Sequence, residues 1–416
     1  MKLNILIVSE YFPPKGKGGG EISAESIASN LANNKEFEVH VLTSYFPGLN
    51  KKEKQGNLTI HRTLNTGISP SSFLGNIKRA SIFKKSLLKE LKKLNKKHTF
   101  HIIHCFNSTS IYAVKLKKRI RARFILQLHG PVLFCPKATL MYKDKYSCNV
   151  KCNLLNYTRC YFCSNAIGKM NFSPLLKYNP AFYFALRARF SKYRKMIKKF
   201  DSYIAISEYM KKRAIFMGVK KEMISVIPHP IAVDNYLKLE SSQNKIPKIL
   251  YLGEYSRNKG PNILLKALKK LKVTYKASFY GEGVLKDEFV QEVKKNNLPI
   301  TINNKVSNKE IPEILQKHDI VVVPSFVGEA LGKAAIEARA AGKIVVASDV
   351  GGLPEVIDKD KGFLFEPGNS DKLAQLLEDI INKKIKIDQE KIRENINKYS
   401  LKQIMPKIKK IYFSLK

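Results

Sequence analysis

Two carboxylates set around a glycine carry the strongest chemical signal in this sequence. Glu329 and Glu337 flank Leu331, Gly332 and Lys333 in the stretch PSFVGEALGKAAIEARAAGKIVVASDVG, residues 324–351. The apolar run Ile320 to Val323 reads as a buried strand, and Gly332 opens a helix that runs through Ala341. Gly342 stands where a helix end favours a left-handed residue, and Lys343 to Ala347 reads as the next strand. The free amides at a helix N-terminus favour anions. Acids beside an anion site suit a ligand that carries phosphates and hydroxyls together, and a sugar nucleotide carries both. The competing reading of Glu337 is an i,i+4 pair with Lys333, in the less favourable Lys-before-Glu order.

Other residues fit the same ligand. Arg257 and Lys259 lie in GEYSRNKG, residues 253–260, a loop after the apolar run KILYLG, where cations can neutralise a diphosphate. Gly253 ends that run, and Gly281 and Gly283 form a second turn after a strand. The loop Gly16 to Glu21, with Gly18 and Gly19, lets backbone approach a phosphate at a helix start. It has no GK[ST] and is not a P-loop. His129 ends a strand, where ligands of open sheets bind. Five of the six cysteines fall between 135 and 163. Cys148, Cys152, Cys160 and Cys163 have spacings that suit a structural zinc, with reduced, partly buried thiols as the alternative and Cys135 as a fifth candidate.

The elements that position these residues alternate strand and helix. Strands are expected at Lys2–Ser9, Phe37–Thr43, Leu58–Arg62, His101–His104, Phe124–Leu128, Ser202–Ile206 and Ile224–Pro228. Helices are expected at Glu21–Asn33, Ile77–Lys97, Pro180–Lys199 and from Ser207 to Met217. Residues 131–175 break the rhythm and read as an insertion or lid. The polar run Ser241–Pro247 reads as a linker. A second series follows, with strands at Lys248–Gly253, Lys276–Gly281 and Gly362–Phe365 beside the central pair. Its helices are expected at Asn262–Leu271, Lys286–Asn296, Asn308–Gln316 and Ser370–Lys383, and Leu401–Leu415 is a closing amphipathic helix. The expected domains are 1–240 and 241–398, with 399–416 packing back on the first.

With 416 residues the chain can bury two full cores. No apolar stretch approaches a membrane span, and no leader is apparent, so a cytoplasmic protein is expected. The net charge of +41 reads as lysine-rich composition spread along the chain, and it gives any anionic membrane surface something to attract. Phe182–Lys199 interleaves aromatic and basic residues, either as a membrane-facing segment or as a core helix with a solvated basic face. No nucleic-acid-binding module is present, so no specific nucleic acid is expected.

The long ordered pattern from Pro324 to Glu355, P-S-x(3)-E-A-L-G-x(4)-E-A-x-A-A-G-K-x-V-V-A-S-x-V-G-G-L-P-E, resembles the donor-site signature of family 4 retaining glycosyltransferases. The resemblance implies an α/β fold of GT-B type, two Rossmann-like domains with parallel sheets facing a central cleft. It implies that Glu337 binds the ribose, Glu329 the donor sugar, and the Leu331, Gly332 and Lys333 amides the diphosphate and sugar. Lys259 and Arg257 would stabilise the leaving diphosphate, and His129 would contact the donor sugar. Gly18, Gly19, Gly253, Gly281 and Gly283 would line the nucleotide sugar. Many relatives carry Arg where this chain has Glu254, and Asn where it has His229. Some carry a similar Cys-rich insert. The implied reaction moves a sugar from a UDP- or GDP-sugar to a saccharide or lipid-linked acceptor in surface glycan synthesis. It needs no cofactor and no catalytic metal, and the enzyme would be cytoplasmic or peripheral at the inner face of a membrane. The alternatives are another GT-B-like sugar-nucleotide enzyme, such as an epimerase, and an inactive membrane- or polyanion-binding relative.

Overall fold

Short apolar strands alternating with amphipathic helices have one stable arrangement, a parallel sheet covered on both faces, and the computed structural model contains two of them. It describes residues 2–16, 18–66, 73–144, 146–167, 170–171, 173–240, 244–358, 360–385 and 388–416. The first three residues of the expected linker, Ser241–Gln243, lie outside the described residues, as does Lys17 of the glycine loop. The chain forms two units, neither continuous in sequence. One holds Met1–Ala138, Pro180–Pro230 and Leu401–Lys416, and the other Thr139–Asn179 and Ile231–Ser400.

The first unit is built on β1 (Leu3–Val8), α1 (Gly19–Ala32), β2 (Phe37–Ser44), β3 (Lys52–Gln55), β4 (Leu58–Leu64), α2 (Phe73–His98), β5 (Ile102–Cys105) and β6 (Arg123–Leu128). Its sheet runs Ile224–Val226, Ser202–Ala205, β6, β5, β1, β2, β4, β3. Every pair is parallel except β3 with β4. The strand β3 was not expected. Its sequence, KEKQ, has no apolar residue, and a charged strand suits an edge that must not pair further. Ala24, Ile27, Ala28 and Leu31 of α1 pack on Ile5, Ile7, Val39 and Val41. The last helix, Leu401–Ser414, adds Ile404, Met405, Ile408 and Tyr412 to this core. Tyr412 Oη lies 2.7 Å from His104 Nδ1, and burial lowers the pKa of His104 to about 3.

The helix Pro180–Ile197 buries Phe182, Leu186, Phe190, Tyr193 and Met196 and exposes Lys192, Arg194 and Lys195. It is a core helix with a solvated basic face.

The second unit has a six-stranded, fully parallel sheet in the order Ile300–Asn303, Lys276–Tyr280, Lys248–Leu252, Ile320–Val323, Ile344–Ser348, Phe363–Phe365. Ile300–Asn303 was not expected: it is short, lies at the sheet edge, and alternates Ile with Thr and Asn. Counted along the chain, the strand order reverses between Lys248–Leu252 and Ile320–Val323. Ligands of open α/β sheets bind beyond the carboxyl ends of strands at such a reversal. The Cys-rich segment holds a helix, Leu154–Phe162, with Tyr157 and Tyr161 buried and Asn153 accepting from the Asn156 amide as its cap. Two short antiparallel pairs accompany it. Among the described residues no helix is long and apolar enough to cross a membrane.

Candidate functional site

The two loops that leave the reversal in the second sheet are clasped together. Gly260, at φ +68°, brings its α-carbon against Pro324, so that an added Cβ would lie 1.9 Å from the Pro324 carbonyl oxygen. The Phe326 amide donates to the Asn258 carbonyl at 3.0 Å. Arg257–Lys259 forms a single 3-10 turn that delivers Lys259 to the loop opposite. Lys259 Nζ lies 2.5 Å from Glu329 Oε1, and Ser325 Oγ donates to the same oxygen at 2.7 Å. Burial raises the Glu329 pKa, but the Lys259 charge, its hydrogen bond and the Ser325 hydroxyl outweigh it and hold the carboxyl below its ordinary value. Glu329 is therefore an anion at neutral pH. Arg257 is on the same turn and exposed.

The backbone of Glu329 is fixed from the other side. It bridges Gly351, and the Gly352 amide donates to its carbonyl at 2.7 Å. Gly351 sits at φ +67°, and a Cβ there would lie 2.3 Å from the Glu329 carbonyl oxygen. Gly351 is thus required twice, by its dihedral and by the close approach.

Gly332, at φ +87° and ψ 57°, turns the chain into the helix Lys333–Ala340 with no side-chain cap. The Leu331, Gly332 and Lys333 amides reach no backbone acceptor among the described residues, which leaves an anion cradle at the helix start. Glu337 is 4% exposed. It accepts from Tyr236 Oη at 2.7 Å and pairs with Lys333 Nζ at 3.0 Å. Both contacts fall on Oε1 and leave Oε2 outside the pair. The i,i+4 pair that the sequence ranked as the weaker reading therefore forms, and it helps to hold the carboxylate in a buried position. Burial, then the Glu337 charge, raises the Tyr236 pKa, so the phenol stays a donor. Two residues further on, Arg339 donates to the carbonyls of Ile392, Val356 and Glu394 at 2.9, 2.6 and 2.8 Å and anchors the helix.

Gly253, Gly281 and Gly283 form a backbone-to-backbone contact between neighbouring loops. A Cβ on Gly281 would lie 1.9 Å from the Gly253 carbonyl oxygen, and one on Gly283 2.4 Å from that of Tyr255. Their first role in the structure is to let these loops touch.

In the first unit, His129 follows β6 and its ring lies on α1: a Cβ on Gly20 would come within 3.0 Å of His129 Nε2. Gly18 precedes α1 without a capping side chain, and Gly19 begins it. Burial lowers the His129 pKa to about 4, so the ring is neutral at pH 7. Its Nδ1 is buried with no hydrogen-bond partner among the described residues. His229 lies beside it, with ring centroids 5.5 Å apart, and its Nδ1 meets Ser23 Oγ at 2.7 Å. A cavity of about 440 Å³ in this unit is lined by Phe12, Glu25, Ser29, Glu53 and Arg62 among others.

A structural zinc at the cysteines is not shown. Among the described residues, no three of Cys148, Cys152, Cys160 and Cys163 have sulfurs within 4.8 Å of one another. Cys160 Sγ instead reaches the Met141 carbonyl at 3.5 Å and receives the Lys143 amide at 3.4 Å. Cys163 is exposed. Cys160 lies on helix Leu154–Phe162 and Cys163 is its C-cap, while Cys148 and Cys152 precede it. Ser207, where a helix was expected to begin, accepts from the Met210 amide at 3.2 Å as a helix cap. Tyr236 and Ser325 were not foreseen: Tyr236 lies 101 residues from its partner, and no local pattern marks it.

Comparison with known proteins agrees with this architecture. The sequence profile described as "Glycosyltransferase Family 4" matches residues 17–235, and the one described as "Glycosyl transferases group 1" matches residues 235–403. An uncharacterized 41.2 kDa protein in the cps region of Klebsiella pneumoniae is 30% identical over 195 residues, 44% of this chain and 53% of that protein. The chain thus spans about half the length of that curated relative. A sucrose-phosphate synthase from Thermosynechococcus elongatus superposes with a TM-score of 0.72 at 18% identity, covering 100% of this chain and 99% of that one. An Anabaena protein in complex with UDP and glucose superposes with a TM-score of 0.68 at 16% identity, covering 99% and 100%. At these identities the likeness shows the fold.

Proposed function

This chain belongs to glycosyltransferase family 4 and has the GT-B fold, and on that footing we propose that it is a retaining transferase using a nucleotide-diphosphate sugar, with UDP- and GDP-sugars as the donors to try. The observation that carries the reading is the placement of Lys259, Glu329, Glu337 and the Gly332 helix start around one strand-order reversal. Each meets a different part of such a donor. Glu337 Oε2 accepts from ribose hydroxyls. The Leu331, Gly332 and Lys333 amides receive diphosphate oxygens, Lys259 and Arg257 add positive charge there, and Glu329 accepts from hydroxyls of the transferred sugar. Gly253, Gly281 and Gly283 keep the nucleotide-side loops low enough for close approach. The Anabaena neighbour's complex with UDP and glucose supports a donor of this kind.

In the proposed reaction the anomeric C–O bond to the diphosphate breaks and a new C–O bond forms to an acceptor hydroxyl. The hydroxyl proton passes to the departing diphosphate. The main contribution of the protein is charge stabilisation at the leaving oxygen by groups already in place. In the first unit, neutral His129 beside the start of α1, with Gly18 and Gly19, is proposed as a contact for a sugar. The cavity lined by Glu25, Ser29, Asn50 and Arg62 offers polar groups that can hydrogen-bond saccharide hydroxyls.

We assign the acceptor to saccharides, free or lipid-linked, of surface glycans. The relative in the Klebsiella cps region and the exposed Lys192, Arg194 and Lys195 support an acceptor presented at an anionic membrane surface. The test is incubation with UDP- and GDP-sugars, with proton NMR of the released sugar and product. Release of nucleoside diphosphate with retained anomeric configuration supports the reading. An inverted product, or epimerised donor without release, contradicts it.

A further inference from the structure

Three histidines meet in the first unit in a place that the proposed transfer reaction does not use. His40 is the fourth residue of β2, His61 the fourth of β4, and His98 the last of α2. The β2–β4 register sets His40 opposite Thr59 and Leu42 opposite His61. Both side chains therefore point to the sheet face opposite Val39, Val41 and Ile60, which lie in the core shared with α1. The end of α2 closes over them: the His40 and His98 ring centroids are 4.2 Å apart, and those of His61 and His98 6.0 Å. His40 is 1% and His61 5% exposed. Because α2 leads back into β5, His98 lies at the N-terminal edge of the sheet, whereas His129 follows the C-terminal end of β6.

We propose that His40, His61 and His98 form a binding site for a divalent first-row transition ion, zinc foremost. One ring nitrogen of each lies within 4.8 Å of the other two. Metal–imidazole bonds of about 2.1 Å place ligand nitrogens about 3.4 Å apart around a tetrahedral ion, so small rotations of the rings complete the triangle. His40 Nδ1 already stands 3.0 Å from His61 Nε2. His40 Nε2 lies 3.3 Å from Glu38 Oε1. A carboxylate that receives the far N–H of a ligand imidazole fixes its tautomer and raises its basicity, a recurrent feature of metal sites. With the proton on His40 Nε2, the Nδ1 lone pair faces His61. Without metal, His61 Nε2–H donates into that lone pair. With metal, His61 carries its proton on Nδ1 and both lone pairs bind the ion. Water takes the fourth position.

Burial and mutual proximity keep the rings neutral, which is the form that binds metals. His40 and His61 are each lowered to about 4, by burial first and then by neighbouring histidines, and His98 is lowered as well. Lys52 and Lys97 push the same way and oppose a cation, but both are exposed to solvent, where salt screens them. Imidazole nitrogen selects zinc, copper, nickel or cobalt over magnesium or calcium. The ion would staple α2 to the β2–β4 pair, a structural task at the end of the first unit's sheet opposite His129.

The test is titration of the metal-stripped full chain with Co(II) and with Zn(II), alongside two variants. His98→Gln changes a half-buried position and leaves the fold intact, and Cys160→Ser controls for thiols. The expected result is one equivalent of cobalt with d–d bands of a tetrahedral nitrogen–oxygen site, no sulfur charge-transfer band, and a thermal midpoint raised by zinc. His98→Gln should weaken binding at least tenfold, and Cys160→Ser should leave it unchanged. Less than a tenth of an equivalent bound, equal affinity in His98→Gln, or a sulfur charge-transfer band lost in Cys160→Ser would overturn the proposal.

Discussion

Lys259 Nζ and Glu329 Oε1 are 2.5 Å apart, so the cation assigned to the leaving diphosphate and the carboxylate assigned to the sugar form one pair. The pair joins the loops after two adjacent strands, Lys248–Leu252 and Ile320–Val323. An ammonium has three donors and can hold Glu329 while it meets a phosphate oxygen. Neither charge has to be desolvated alone when the donor arrives.

Lys259→Ala removes the diphosphate charge and leaves Glu329 buried without its cation. With Lys259 gone, burial dominates and the Glu329 pKa rises. The expected loss is about 100-fold to 1,000-fold in kcat, in the range seen when one preorganised charge donor is removed. Steady-state kinetics on donor hydrolysis read it. A change confined to KM would show that Lys259 only helps to bind.

Tyr236 positions Glu337 through the 2.7 Å bond to Oε1. Tyr236→Phe removes the hydroxyl, keeps the ring, and leaves Lys333 as the remaining partner of that oxygen. The expected cost is about 1 kcal/mol, seen as a severalfold rise in KM for the donor with kcat nearly unchanged. An equal fall in kcat would place Tyr236 in the transition state instead.

His104 gives a pH dependence of stability with a definite sign. Its folded pKa is lowered from 6.5 to about 3 by burial, so the unfolded chain takes up the proton first as pH falls. The contribution of the neutral ring is complete above pH 6.5 and is lost progressively as pH drops towards 3. At pH 5 the loss is about 2 kcal/mol at 1.36 kcal/mol per pH unit below the unfolded value. Thermal unfolding followed by circular dichroism should show a smaller drop between pH 7.5 and 5 in His104→Gln than in the parent. Equal drops would remove His104 as the cause.

Much of the fold, and the residues gathered at the candidate site, are legible in the amino-acid sequence. The apolar runs announce their strands because both faces of a parallel sheet are buried. Glu329 and Glu337 stand out because they sit in one long ordered pattern around Gly332. What escapes is of two kinds. Edge strands such as Lys52–Gln55 and Ile300–Asn303 lack a continuous apolar signal because one side is wet. Contacts such as Tyr236 to Glu337, or His40 to His98, join residues far apart in sequence, so spacing does not reveal them. The cysteines show the converse, since ligand spacing is present but no three of these sulfurs gather within 4.8 Å among the described residues. The histidine trio is invisible as a motif and becomes visible only through strand register.

The central claim is that Glu337 and the Gly332 helix start hold a nucleoside diphosphate. Its most direct test is calorimetric titration of the protein and of Glu337→Ala with UDP and with GDP, with circular dichroism to confirm the fold. The account predicts saturable binding of one of the two nucleotides by the parent, and at least a tenfold loss, about 1.4 kcal/mol, in Glu337→Ala. Equal affinity in the folded variant, or no saturation by either nucleotide, would contradict it.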